Sequence, residues 1–179
     1  MRGMFRLFAV ALGLCVGAAV AQDRKDTKGG DKPVTDAEFV IKAASGGMFE
    51  VESSKLAKDS ATGDVKKFAE KMIEDHGKAN KELEAAAKKA GHGLPTKMLD
   101  DHQKLLDKVK MAKGKDFDRA YMDAQVKAHE EAVGLFTSAS KSVKDAGLKA
   151  FAEKTLPTIK EHYEHAKKHA PGGSGKSDR

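Results

Sequence analysis

The sequence predicts an all-α protein: a four-helix bundle of two duplicated helical hairpins, with a shorter crossover helix between them. Three observations carry this prediction. Apolar residues recur with the 3.6-residue period of amphipathic helices throughout the chain. Charged residues make up 34% of the sequence and only four residues are Pro, which suits exposed helix faces. Residues 65–73 also recur as residues 148–156, with five identities in nine positions.

The first 21 residues have the features of a secretory signal peptide. Arg2 and Arg6 form a positive n-region, residues 7–20 are an unbroken apolar run, and residues 19–21 match an A-x-A cleavage site. A run of about 14 apolar residues is shorter than the ~20 that span a bilayer, so a retained membrane anchor is the less favoured alternative. The sequence therefore predicts an exported protein, periplasmic or associated with the cell envelope, without a transmembrane helix after cleavage.

Cleavage after Ala21 would remove Cys15, the only cysteine, so the mature protein could form no disulfide. Lipidation of Cys15 is disfavoured because Leu14 before it is bulky and the apolar run continues beyond it. The charge of the full chain is +6, and its basic residues are dispersed without interleaved aromatic side chains. This pattern disfavours nucleic acid as a partner and leaves peripheral envelope association and homo-oligomerisation open.

The folded domain is predicted to cover residues 35–170, after a disordered polar tether at 22–34 and before a disordered tail at 171–179. Thr35 and Glu38 form a capping box that starts the first helix. The predicted helices span residues 35–59, 62 or 64 to 90, 96–112, 116–142 and 148–169. The third helix is the crossover, about 25 Å long at 1.5 Å per residue.

A pair of glycines and one proline interrupt the helical pattern. Gly46 and Gly47 lie inside the first helix, where each glycine is about 1 kcal/mol less favourable than Ala. They indicate either close helix packing, or a bulge or close backbone approach to a ligand. Pro157 lies inside the last helix and is expected to kink or restart it.

Three histidines lie on or beside the apolar stripes of separate long helices: His76, His129 and His162. The first helix offers Glu50 on its apolar side, where an unpaired carboxylate is unfavourable. These four residues predict a metal centre in the bundle core, holding a divalent transition metal such as Fe, Zn, Cu or Mn. The alternative is a hydrogen-bonded structural network made of the same side chains.

Other polar residues are lesser candidates: Glu52, Asp75, His165 and His169. Glu52 is the alternative to Glu50 on the first helix. Asp75 points about 100° away from His76 and could orient a neighbouring group. His165 and His169 share a helix face with His162 near a fraying end, a position that is more often exposed. The remaining histidines, His92 and His102, are predicted to be solvated in the crossover region.

The sequence does not predict an enzyme. Di-iron bundles take a Glu-x-x-His from each of two helices, but Ile73 and Ile159 stand three residues before His76 and His162. A mature cysteine, a Gly-x-Ser-x-Gly motif and a phosphate-binding glycine loop are all lacking in the sequence after the predicted cleavage site.

Taken together, several motifs over residues 36–170 resemble domain of unknown function family 4142, exported bacterial ferritin-like proteins. The motifs are Phe39, Glu50-Val51-Glu52, Phe68-Ala69, Met72-Ile73-x-Asp75-His76, Phe117-Asp118-x-x-Tyr121, His129 and Leu156-Pro157 with His162. The resemblance implies a ferritin-like four-helix bundle and a periplasmic or envelope location, but no established reaction. Two functions remain: metal binding for storage, sensing or stress protection, or a non-enzymatic structural or interaction role in the envelope.

Overall fold

The computed structural model describes residues 32–170, which form five α-helices and contain no β-strand. The helices are α1 (Asp36–Ser60), α2 (Gly63–Lys89), α3 (Asp100–Met111), α4 (Lys115–Ser142) and α5 (Ala146–His169). The prediction of an all-α fold is thus confirmed. No helix within 32–170 is both long and apolar enough to cross a membrane.

The ends of the long helices agree with the sequence prediction to within about two residues. Thr35 caps α1 through a capping box, because its hydroxyl accepts from the Glu38 amide and the Glu38 side chain accepts from the Thr35 amide. The crossover helix differs: α3 begins at Asp100 rather than at residue 96, so the predicted start was wrong by four residues. The Leu99 amide donates to the Ser45 hydroxyl at 2.8 Å, which ties the start of α3 to α1.

Each long helix packs most closely against its hairpin partner, α1 against α2 and α4 against α5. The two hairpins join through contacts of α1 with α4 and of α2 with α5, and α3 lies against α1 and α4. Pro157 is accommodated inside α5, which continues to His169. The additional cover from α3 buries further residues of α1, including Ser45 and Phe49.

The interior contains two separate apolar clusters. One includes Phe49, Met72 and Tyr121, and the other includes Phe39 and Phe136, whose rings meet edge to face with centroids 5.1 Å apart. Along α2, α4 and α5, a histidine lies where the chain passes from one cluster to the other. The core is therefore divided by a layer of polar side chains.

The glycine pair in α1 is explained by close packing against α2. The Asn80 amide nitrogen donates to the Gly47 carbonyl at 3.0 Å, and a Cβ at Gly47 would lie 1.9 Å from Asn80 Oδ1. At Gly46 a Cβ would meet only the His102 ring, at 3.6 Å. Only Gly47 is required by this close approach of two helices.

This difference predicts opposite effects for one substitution at adjacent positions. Gly46→Ala should raise the free energy of unfolding by up to about 1 kcal/mol, because Ala favours the helix and has room. The free energy of unfolding of Gly47→Ala should be about 1–3 kcal/mol lower than that of Gly46→Ala, because Asn80 must move and lose its hydrogen bond. Urea unfolding of both variants checks this, and equal stabilities would contradict it.

The predicted signal peptide (1–21), the tail (171–179) and the tether up to residue 31 lie outside the described residues. The end of the tether is held against α4. The Val34 amide donates to the Ser142 hydroxyl at 2.9 Å, and this hydroxyl donates to the Val34 carbonyl at 3.0 Å.

Candidate metal centre

The polar layer brings together His76, His129 and His162 from α2, α4 and α5. One ring nitrogen from each lies within 4.8 Å of those of the other two. The ring centroids are 5.3 to 5.7 Å apart. His76 Nε2 and His162 Nδ1 are 3.2 Å apart. Three imidazoles predicted from separate helices thus form one cluster.

His129 is oriented by its own helix. Its Nδ1 lies 3.0 Å from the Gln125 carbonyl oxygen, which can only accept, so Nδ1 carries the proton and donates. The lone pair is then on Nε2, a buried atom without a hydrogen-bond partner among residues 32–170. A buried, unpartnered imidazole nitrogen is unfavourable unless something binds it.

His162 is oriented by α2. Its Nε2 donates to Asp75 Oδ2 at 2.9 Å, and the same oxygen accepts from Lys71 at 2.8 Å. Nδ1 of His162 is therefore the acceptor that faces His76. Metal-binding histidines commonly have this pattern, in which a carboxylate fixes one nitrogen and frees the other.

The surroundings of all three rings favour the neutral imidazole. Burial lowers the pKa of His129 to about 3 and that of His76 well below its usual value, and the neighbouring histidines lower both further. Burial also lowers the pKa of His162, against the opposing effect of Asp75. Burial alone would raise the pKa of Asp75, but hydrogen bonds from Lys71 and His162 lower it overall. Neutral imidazole is the form that binds metal.

Glu50 lies at the outer side of the cluster. Its Oε1 is 3.3 Å from Nδ1 of His129, the nitrogen that does not face the cluster, and Glu50 is not among the donors that meet within 4.8 Å. Burial raises its pKa well above the usual value, against a hydrogen bond from Gln125, and Oε2 has no partner among the described residues. The structure therefore places Glu50 behind His129, where it can support the ring.

Sequence reasoning missed the polar residues around Glu50. The Gln125 amide donates to the Ser53 hydroxyl at 3.0 Å, and both side chains are buried. Gln125 lies four residues after Tyr121 and four before His129, so its helical spacing was a usable signal.

The cluster borders a pocket. A pocket of about 150 Å³ lies between α2 and α5, and His76 and His162 form part of its wall. His129 does not line it and lies fully buried behind them. Ions or small molecules could therefore approach the cluster from the α2–α5 groove.

Most of the lesser candidates lie outside the cluster of three histidines. Glu52 is exposed and pairs with Lys55 at 2.9 Å. His165 stacks between Phe68 and His169, with centroid distances of 4.3 Å on both sides. Neither His165 nor His169 belongs to the cluster of three histidines. Of the lesser candidates, only Asp75 contacts it.

The prediction that His102 is solvated was wrong. His102 is 5% exposed, its Nδ1 lies 2.7 Å from the Ser45 hydroxyl, and its ring stacks on Phe49. The reason is the docking of α3 against α1. The signal was present, because residues 102, 105, 106 and 109 follow the spacing of a buried helix face.

Comparison with known proteins gives one match. The family model described as Domain of unknown function (DUF4142) matches residues 19–168. No curated protein and no solved structure matches the chain.

Proposed function

The chain belongs to the DUF4142 family, and we propose that it is an exported ferritin-like four-helix bundle that binds one transition metal ion through His76, His129 and His162. Storage, sensing or stress protection would follow from reversible binding in the periplasm or cell envelope. The neighbour relations of the four long helices support the bundle.

One observation carries the metal proposal: three neutral imidazoles from three helices converge with His129 Nε2 buried and unpartnered within residues 32–170. A tetrahedral ion with nitrogen ligands at 2.0–2.1 Å needs nitrogens about 3.3 Å apart. The 3.2 Å between His76 Nε2 and His162 Nδ1 already meets this distance. Metal binding would move the proton that His76 Nε2 donates in the metal-free protein to the other ring nitrogen of His76. The other distances are within 4.8 Å, so small rotations of the rings would complete the site.

The chemistry of the donors narrows the choice of metal. Imidazole suits Zn, Cu, Fe and Ni, whereas Mn prefers oxygen ligands. Oxidative iron chemistry of the di-iron kind is not supported, because Ile159 is buried in an apolar cluster where a Glu would be required. Zn²⁺, Cu²⁺ and Ni²⁺ are therefore ions whose ligand preference this site meets.

The proposal is tested by titrating chelator-treated mature protein with Zn²⁺ in a calorimeter. We expect one ion per chain. Asp75→Asn should weaken binding about 10- to 100-fold, because the neutral amide orients His162 less well and makes it less basic. Glu52→Gln, an exposed change on α1, is the control and should bind as the wild type does. Protein that takes up no metal would refute the proposal.

A second function is favoured by a specific set of contacts. Lys71, Asp75, His162 and His76 form a continuous hydrogen-bonded chain that joins α2 to α5 without an ion. The chain could serve only to hold the two hairpins together in a structural envelope protein. In that case Asp75→Asn would lower the unfolding free energy of metal-free protein, and the wild type would bind no ion.

A further inference from the structure

The pocket between α2 and α5 has room for a small ligand beside the cluster. His76 and His162 line it together with Thr155 and Thr158 of α5, and Lys78 of α2. Its volume of about 150 Å³ is well below the ~300 Å³ at which pockets for drug-sized ligands begin. The space suits a molecule of only a few non-hydrogen atoms.

Within residues 32–170, no fourth donor belongs to the group that would hold a metal with the three histidines. The group of donors that meets within 4.8 Å consists of three imidazoles, and Glu50 lies on the far side of His129. Zinc sites with three protein ligands keep their fourth position for water or an exogenous ligand. The open space beside His76 and His162 is where such a ligand has room.

The charges around the pocket indicate the class of this ligand. A divalent ion on three neutral imidazoles carries two positive charges, and Asp75, 2.9 Å from His162, supplies one negative charge. At the pocket wall, Lys154 is neutralised by Glu82 through contacts of 2.8 and 2.9 Å, whereas Lys78 adds a further positive charge. The threonine hydroxyls can donate hydrogen bonds. The surroundings therefore favour an anion over a neutral or cationic ligand.

We propose that the α2–α5 pocket binds a small monoanion that completes the coordination of the metal. This inference rests on the proposed metal site and adds the ligand class to it. The pocket supplies size selection through its narrow volume, and Thr155 and Thr158 supply hydrogen bonds to the end of the anion that is remote from the metal.

The test uses Co²⁺ in place of Zn²⁺, because its visible absorption reports the ligand set. Thiocyanate should change the spectrum of the loaded wild type in a saturable way. Thr158→Leu, which fills the pocket wall, should weaken thiocyanate binding at least tenfold while leaving one Co²⁺ per chain. Thr137→Leu is the matched control, since Thr137 is a half-buried residue of α4 away from this pocket, and it should behave as the wild type does.

The outcomes separate this inference from the metal site itself. If thiocyanate does not change the spectrum of the Co²⁺-loaded protein, the proposed anion pocket is refuted and the metal site is not. Equal thiocyanate affinity in Thr158→Leu and the wild type would also overturn it. If the wild type binds no Co²⁺ or Zn²⁺, both the metal site and the anion pocket are refuted.

Discussion

His129→Gln is expected to reduce the affinity for Zn²⁺ by more than about 100-fold, beyond the range typical of changes to residues that only orient a ligand. His129 is fully buried, and Gln125 fixes its tautomer so that Nε2 faces the cluster. Glutamine retains a donor for the Gln125 carbonyl but removes the imidazole nitrogen. Zn²⁺ at 100 times its Kd should stabilise the wild type by about 2.7 kcal/mol, and at the same concentration this increment should fall below about 0.4 kcal/mol in the variant.

The matched control is His169→Gln, which removes a histidine outside the cluster. It should keep both the affinity and the zinc-dependent rise in melting temperature. Calorimetry gives the affinity, and thermal unfolding with and without Zn²⁺ gives the increment. If His129→Gln is folded and binds Zn²⁺ as tightly as the wild type, His129 is not a ligand. If only His169→Gln loses the metal, the site lies in the row at the end of α5.

Much of the fold could be predicted because local signals and packing agree. The capping box at Thr35 and the long periodic stripes determine where the long helices lie. The crossover helix was harder, since its start depends on a tertiary hydrogen bond from the Leu99 amide to Ser45. The burial of Phe49 depends on the cover that α3 provides, which the periodic pattern of α1 alone does not show.

The candidate site, like the fold, could be predicted only in part from the sequence. The three histidines were predictable, as each interrupts an apolar stripe, but the pattern on one helix cannot show what a side chain meets on another. The geometry of α2 turns Asp75 about 100° away from His76. It reaches His162 on α5 instead. Glu50 was predicted as a ligand from its inward position, yet its depth along α1 places it beside Nδ1 of His129.

Metal-free protein should lose stability as the pH falls below about 6.5. The unfolded chain protonates His129 near pH 6.5, whereas the native pKa is about 3, so the unfolded state binds more protons between these values. The contribution of His129 to the free energy of unfolding is fully present above pH 6.5 and falls by about 1.4 kcal/mol per pH unit below it. The lowered pKa values of His76 and His162 act in the same direction.

Glu50 has the opposite effect on the pH dependence of stability. Comparing variants of Glu50 and His129 therefore gives the sharpest test of their protonation states. Its raised pKa keeps it protonated in the native state above pH ~4.3, so its contribution is complete below that pH and is lost as the pH rises. Above pH ~4.3, Glu50→Gln should therefore steepen the acid loss of stability. Between pH 4.5 and 6, His129→Gln should flatten it by about 1 kcal/mol per pH unit. Urea unfolding with a chelator present measures both slopes. His92→Gln, outside the cluster, is the control, and equal slopes in all three variants would contradict the buried, neutral state of this pair.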